Sequence, residues 1–221
     1  MTKTAVITGA NRGVGLALAT ELNGKGYRVI GVCRSSSEEL DNIASKVIEG
    51  IDVTDEASIA RLPKELKGVD VDLLINNAGL LDDNVLGSIE LDSIRAQMEV
   101  NAYAPLMVTE ALLDNLRSGS KVALITSRMG SMTDNTSGGR YGYRASKAAL
   151  NAFGKSLAVD LVPQGISVAI LHPGYVQTRM VNFGGFISPQ ESAQGLIERI
   201  DGLNLENSGT FWHSNGEELP W

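Results

Sequence analysis

The stretch Thr4-Ala-Val-Ile-Thr8-Gly9-Ala10-Asn11-Arg12-Gly13-Val14-Gly15 places three glycines within seven residues directly behind a β-branched run. The run Thr4–Thr8 has the composition of a buried strand, and the apolar residues over 14–23 recur at helical spacing. Glycine lets a backbone turn tightly and lets a ligand approach it closely. A helix beginning at such a turn presents unpaired N–H groups, which suit a pyrophosphate. Gly9, Asn11, Arg12, Gly13, Val14 and Gly15 therefore form the expected phosphate-binding turn. Their spacing is Gly-x-x-x-Gly-x-Gly, not the usual Gly-x-Gly-x-x-Gly dinucleotide fingerprint. The rival reading is a turn that needs glycine for packing alone. The position immediately after the first strand counts against it.

Outward from this turn, short apolar runs alternate with amphipathic stretches. Strands are expected at Arg28–Val32, 47–53, Val71–Asn76, 121–126 and 166–171, with an edge strand at 209–212. Helices are expected at 56–67, 93–115 and 145–162. Strands that read as continuous apolar runs, separated by helices, imply a parallel sheet covered on both faces. The fold class is α/β, a doubly wound parallel sheet of Rossmann type in a single domain over 1–221. No internal repeat or low-complexity tract interrupts it. The stretches 127–140 and 181–188 read as substrate loops, and Gly184-Gly185 between phenylalanines makes the second a candidate lid.

Composition excludes several function classes. Hydrophobic residues make up 43% and the net charge is −7, so nothing favours nucleic acid or an anionic membrane as a partner. One cysteine, Cys33, cannot form an internal disulfide, and a reducing compartment suits it. The two histidines, His172 and His213, stand in no metal-ligand pattern. No apolar stretch is long enough for a bilayer, and the sequence enters its first strand without a secretory leader. A cytoplasmic protein is expected.

Two further positions carry chemistry. The second strand ends Gly31-Val32-Cys33-Arg34, where an acidic residue would bind a ribose 2′-hydroxyl. With no carboxylate before Glu38, Arg34 and Arg12 are candidates to hold a 2′-phosphate, so NADP(H) is preferred over NAD(H). In Tyr141-Gly-Tyr-Arg-Ala-Ser-Lys-Ala-Ala149, Tyr143 and Lys147 are four apart and share a helical face. A nearby cation favours phenolate and makes the tyrosine a usable proton donor and acceptor. The same spacing also arises by chance on solvated helices.

Taken together, these motifs resemble the classical short-chain dehydrogenase/reductase family over nearly the whole chain. The glycine turn matches the family's cofactor loop, and Asp52-Val53 the pair that holds the adenine. Asn76-Asn77-Ala78-Gly79 matches an element after the fourth strand, and Asn101 the active-site asparagine. Ser127 stands where the catalytic serine belongs, and Tyr143 with Lys147 match the catalytic pair. Pro173-Gly174, with Val176 and Thr178, matches the segment that embraces the nicotinamide. The resemblance implies hydride transfer between a nicotinamide cofactor and a small-molecule carbonyl or alcohol. Tyr143 would give the proton and Ser127 would hold the reacting oxygen. Lys147 would lower the tyrosine pKa and hold the ribose, and Asn101 would position a relay water. Family members are commonly homodimers or homotetramers, through the helices carrying Asn101 and Tyr143, though some carbonyl reductases are monomers.

Ser127 and Tyr143 stand sixteen residues apart, wider than the family's usual spacing, which places an insertion within 129–140. The run Gly130-Ser-Met-Thr-Asp-Asn135 and the ending Gly216-Glu-Glu-Leu-Pro-Trp221 are similar to carbonyl reductases of the sniffer and C-factor type. The insertion leaves Ser131 as a rival serine. Tyr141 is a weaker rival tyrosine, because Ala145, not lysine, follows it by four. Three functions compete: an NADPH-dependent reductase of aldehydes or ketones, an NAD-linked dehydrogenase of a hydroxylated metabolite, and a non-catalytic NADP-binding redox regulator.

Overall fold

The computed structural model describes residues 2–221. The β-branched run ahead of the glycine turn is strand β1 (Thr4–Thr8), every residue of it buried. It is followed by α1 (Gly13–Gly24), β2 (Arg28–Val32), α2 (Glu38–Ile43) and β3 (Lys46–Ile48). Two single-turn helices, α3 (Glu56–Ile59) and α4 (Leu62–Glu65), lead to β4 (Val71–Asn76). The second half begins with α5 (Leu91–Met98), a π-helical turn (Glu99–Tyr103) and α6 (Ala104–Ala111). It continues with β5 (Leu116–Ile125), α7 (Tyr141–Asp160), β6 (Ser167–His172), α8 (Pro189–Asp201) and β7 (Phe211–His213).

The strands form one sheet in the order β3-β2-β1-β4-β5-β6-β7, all pairs parallel. Side chains alternate between its faces, as the two-residue period of a strand requires. Ala5, Ile7, Leu73, Ile75, Ala123 and Ile125 pack with α1, α2 and α8 on one side. Val6, Leu74, Val122 and Leu124 pack with α6 and α7 on the other. Chain direction across the sheet reverses between β1 and β4, and the crevice at the C-terminal ends of these strands is where such sheets take ligands.

Several expected elements differ. The strand expected at 47–53 ends at Ile48, and Asp52 and Val53 lie in the loop beyond it. The helix expected at 56–67 divides at Arg61, where Pro63 enters the first turn of α4. The long helix expected at 93–115 is broken by the π turn and ends at Ala111. Helix α7 begins at Tyr141 rather than 145, so Tyr143 and Lys147 both stand within it. Helices α2 and α8 were not anticipated.

Candidate active site

The glycine turn and the end of β4 build one cradle. Gly9 and Gly13 adopt φ of 65° and 56°, which side chains with a Cβ rarely take. A Cβ on Gly15 would stand 2.2 Å from the Gly9 carbonyl oxygen and 2.5 Å from Asn77 Nδ2, so only glycine fits. The Thr8 hydroxyl accepts hydrogen bonds from the amides of Asn77 (3.0 Å) and Ala78 (3.1 Å). Asn77 Nδ2 in turn donates to the carbonyl oxygens of Thr8 and Gly9. Helix α1 starts at this cradle with no side chain capping it, which leaves its first amides for a ligand. The residues present fit a dinucleotide pyrophosphate: a narrow, backbone-lined, Cβ-free turn at a helix N-terminus.

Beside the cradle, Arg12 and Arg34 are exposed, and among the described residues neither forms an ion pair. Asn11 Nδ2 donates to the Ser35 carbonyl (2.9 Å) and ties the turn to the β2 loop. The carboxylates of Glu49 and Asp41 are engaged by the Ser36 amide and hydroxyl. Cys33 is buried, and burial pushes its thiol up to about 11, with Glu49 and Asp41 adding to the rise. It is no activated nucleophile. Asp52 accepts from the Thr54 amide and hydroxyl, which hold its carboxyl below the usual range, and Arg34 adds to this. Val53 reaches the crevice beside Thr8, Asn76 and Ala78.

Across the crevice, β5 delivers Ser127 and α7 delivers Tyr143 and Lys147. The Ser127 hydroxyl accepts the Met129 amide (3.1 Å), which leaves its own proton free to donate. Ser131, the rival serine, is 2% exposed and accepts the Asp134 amide inside the insertion. Tyr141 is exposed at the first turn of α7. Tyr143 is buried, and Lys147 Nζ stands 5.8 Å from its ring centre while donating to the Ile125 carbonyl (2.8 Å).

Burial governs the protons of this pair. It pushes the Tyr143 phenol up to about 12, against the opposing influence of Ser127 and then Arg140. It draws the Lys147 ammonium down to about 7. The groups that favour the phenolate in this arrangement are Ser127 and then Arg140, while burial of the Lys147 ammonium disfavours its charged form. Asn101 is fully buried in the π turn. Its amide donates to the Leu80 carbonyl (2.7 Å) and the Ser146 hydroxyl (3.0 Å), and its oxygen accepts the Leu80 amide (2.8 Å). Asn101 thus fixes the loop after β4 against α7, and only one lone pair is left for a water.

The remaining wall is the segment after β6. The Pro173 carbonyl accepts the hydroxyls of Ser192 and Ser214, and Gly174 has φ 90°. Val176 pairs with Ile187, and Thr178 lies against Gly13 at the phosphate turn. Met180 reaches toward Gly79, and a Cβ there would stand 3.7 Å from Met180 Cε and 3.4 Å from Asn101 Oδ1. The 181–188 loop is tied to this wall by amides of Phe183, Phe186 and Ile187. A Cβ on Gly185 would meet the Val176 carbonyl carbon at 2.3 Å, so close packing accounts for this glycine without a hinge.

Sequence reasoning passed over four polar residues that hold the others. Thr8 and Ser146 have appeared above. Thr126 donates to Asn151 Oδ1 (2.7 Å) and so locks the end of β5 to α7 one turn beyond Lys147. For the two threonines the sign was available, since the apolar runs of β1 and β5 each finish on a threonine, Thr8 before Gly9 and Thr126 before Ser127.

A family model described as short chain dehydrogenase matches residues 3–184. A Rhodococcus sp. (strain AD45) protein named 1-hydroxy-2-glutathionyl-2-methyl-3-butene dehydrogenase is 41% identical, covering 99% of each chain. The carbonyl reductase Sniffer of D. melanogaster superposes with a TM-score of 0.92 at 28% identity, over 100% of both chains. The NADPH-bound carbonyl reductase from chicken fatty liver does so at 0.89 and 29%, over 100% of this chain and 99% of the other. The nucleotide cradle lies within the matched span, as do all the side chains gathered opposite it, and the chain belongs to the short-chain dehydrogenase family of oxidoreductases.

Proposed function

We propose that this oxidoreductase uses NADPH to reduce an aldehyde or ketone, with Tyr143 as the proton donor. The observation that carries the reading is the convergence of Ser127, Tyr143 and Lys147 from β5 and α7 at the mouth of the nucleotide crevice. When bound, the nicotinamide supplies the hydride. Negative charge then develops on the carbonyl oxygen. Ser127, whose lone pair is taken by the Met129 amide, donates its hydroxyl proton to a hydrogen bond with that oxygen. Tyr143 Oη transfers its proton to the same oxygen. A phenol held near pKa 12 keeps its proton until the oxygen becomes alkoxide-like. Lys147 would return a proton to the phenolate and hold the ribose. Gly9, Gly13, Val14 and Gly15 would seat the pyrophosphate. Asp52, Val53, Asn77, Ala78 and Gly79 would line the nucleoside, and Pro173, Gly174, Val176 and Thr178 the nicotinamide. Loops 127–140 and 181–188 of this single domain would contact the substrate.

The preference for NADPH rests on the unpaired guanidiniums of Arg34 and Arg12, and the NADPH-bound carbonyl reductase of the same fold supports it. A second reading, oxidation of a hydroxylated metabolite, is favoured by the name of the Rhodococcus relative. Binding of NADPH and NADH, measured by fluorescence on the wild type, Arg34→Ala and Tyr143→Phe, tests both readings. Arg34→Ala is expected to weaken NADPH at least tenfold and NADH little. Tyr143→Phe should bind NADPH normally and turn over aldehydes at under 1% of wild type, a loss in line with removing a general acid. Equal loss of both cofactors in Arg34→Ala would transfer the protein to the NAD-linked reading. A cytoplasmic homodimer or homotetramer is part of the proposal.

A further inference from the structure

The insertion between Ser127 and Tyr143 begins and ends with an arginine beside the reacting groups. Arg128 follows Ser127, and Arg140 precedes α7 three residues before Tyr143. Arg140 is one of three non-glycine residues with positive φ (50°), a conformation a Cβ resists. Its amide is held by the Asn84 carbonyl (2.9 Å), so the strained backbone fixes where the side chain leaves the chain. The guanidinium packs on Met129 Sδ (3.8 Å), the residue whose amide bonds Ser127. Both arginines bond their carboxylates through Nε alone, Arg128 to Asp134 (2.7 Å) and Arg140 to Asp83 (2.8 Å). Among the described residues, Arg140 Nη2 and both terminal nitrogens of Arg128 meet no acceptor. The two pairs are two-fifths exposed or thereabouts on the arginine side, where an ion pair is weak and easily exchanged. The free fork of Arg128 and the free Nη2 of Arg140 thus stand at the two ends of the loop between Ser127 and α7, in a chain of net charge −7.

We propose that Arg140, assisted by Arg128, is a specificity-determining residue that holds an anionic group of the substrate, so that the site prefers carbonyl compounds bearing a carboxylate. Arginine suits this because its terminal fork matches a carboxylate in two parallel hydrogen bonds. Asp83 then competes for the same guanidinium and sets the affinity. The inference rests on the oxidoreductase reading given above.

The test compares 4-carboxybenzaldehyde with methyl 4-formylbenzoate, which share a skeleton and differ in one charge. The quantity read is the acid-to-ester ratio of kcat/KM, with NADPH, in the wild type and in Arg140→Gln, Arg140→Lys and Asp83→Asn. Intrinsic reactivity and any general loss of folded protein cancel in the comparison of ratios between variants. Arg140→Gln is expected to lower the ratio at least tenfold, and Arg140→Lys to restore part of it. Asp83→Asn should raise the ratio at least twofold, a gain that misfolding cannot produce. Raising salt should lower the wild-type ratio. If both substrates turn over in a Tyr143-dependent way and the ratio stays within twofold in Arg140→Gln, the carboxylate site is wrong and the oxidoreductase reading stands. If both rates fall equally in Arg140→Gln, the arginine does not read the carboxylate and the proposal is again overturned. If the wild type reduces neither aldehyde with either cofactor, the carbonyl-reductase reading fails and the anion site falls with it.

Discussion

Lys147, 4% exposed with only the Ile125 carbonyl against its ammonium, carries a solvation cost that depends on pH. Its pKa is about 7 in the folded chain and near 10.5 when unfolded. Below pH 7 both states hold the proton and the folded state bears the full penalty. Between pH 7 and 10.5 the unfolded state binds more protons, so stability rises with pH. Cys33 and Tyr143 work in the opposite sense, but only above their unfolded values of 9.0 and 10.0, so the window from 7 to 9 belongs to the lysine. Lys147→Met is expected to be more stable than wild type at pH 6, by on the order of a few kcal/mol, and to lose the slope. Urea unfolding at pH 6, 8 and 9 checks this; a wild-type slope that survives the substitution would place the titration elsewhere. At the same scale, the glycine turn was legible because its glycines are needed there for reasons independent of context, whereas the threonines that brace it were passed over. Only glycine survives 2.2 Å from a carbonyl oxygen, as at Gly15. The behaviour of the Tyr143–Lys147 pair was not legible, because spacing on a helix says nothing of how deeply its face is buried.

Among the elements, strands β1, β2 and β4 coincide with the apolar runs that announced them, since a strand buried on both faces has little freedom in composition. Strand β5 was foreshortened, because Arg117, Ser118 and Gly119 are exposed residues of a bulge between the paired positions Leu116 and Lys121 and carry no apolar signal. Helix α8 was overlooked although it carries a complete capping box, Ser188 with Glu191, ahead of Leu196, Ile197 and Ile200. The π turn was invisible, as no local propensity encodes it; it arises where α5 must rotate to drive Asn101 inward. Asn101→Ala would remove the three hydrogen bonds that a fully buried side chain makes to the Leu80 backbone and the Ser146 hydroxyl, a cost of about 2 kcal/mol. For a chain of this size that lowers Tm by roughly 4–8 °C, checked by calorimetry. A Tm within 1–2 °C of wild type, at about the shift of 0.5 kcal/mol, would show that water replaces the asparagine.

For the whole molecule, two features bear on assembly. Among the described residues no helix is long and apolar enough to cross a membrane. The helical segments carrying Asn101 and Tyr143 expose apolar side chains, with Tyr103 42%, Met107 38% and Val159 63% exposed. A second copy packed on them would remove these side chains from water. Light scattering coupled to gel filtration is expected to give a multiple of the chain mass, and Met107→Asp with Tyr103→Glu to return it to one chain. A wild type that elutes as one chain at high concentration would dismiss the oligomer.

The Thr8 hydroxyl bonds the amide of Asn77 across a sequence separation of 69 residues. One side of the nucleotide cradle is thus made early in synthesis and the other much later, after β2, β3 and β4 have all been added. A nascent chain lacks that half of the cradle until Asn77 and Ala78 have left the ribosome. A dinucleotide seated there would therefore be no template for the first strands; it would act as a seal, set only when the two central strands have found each other.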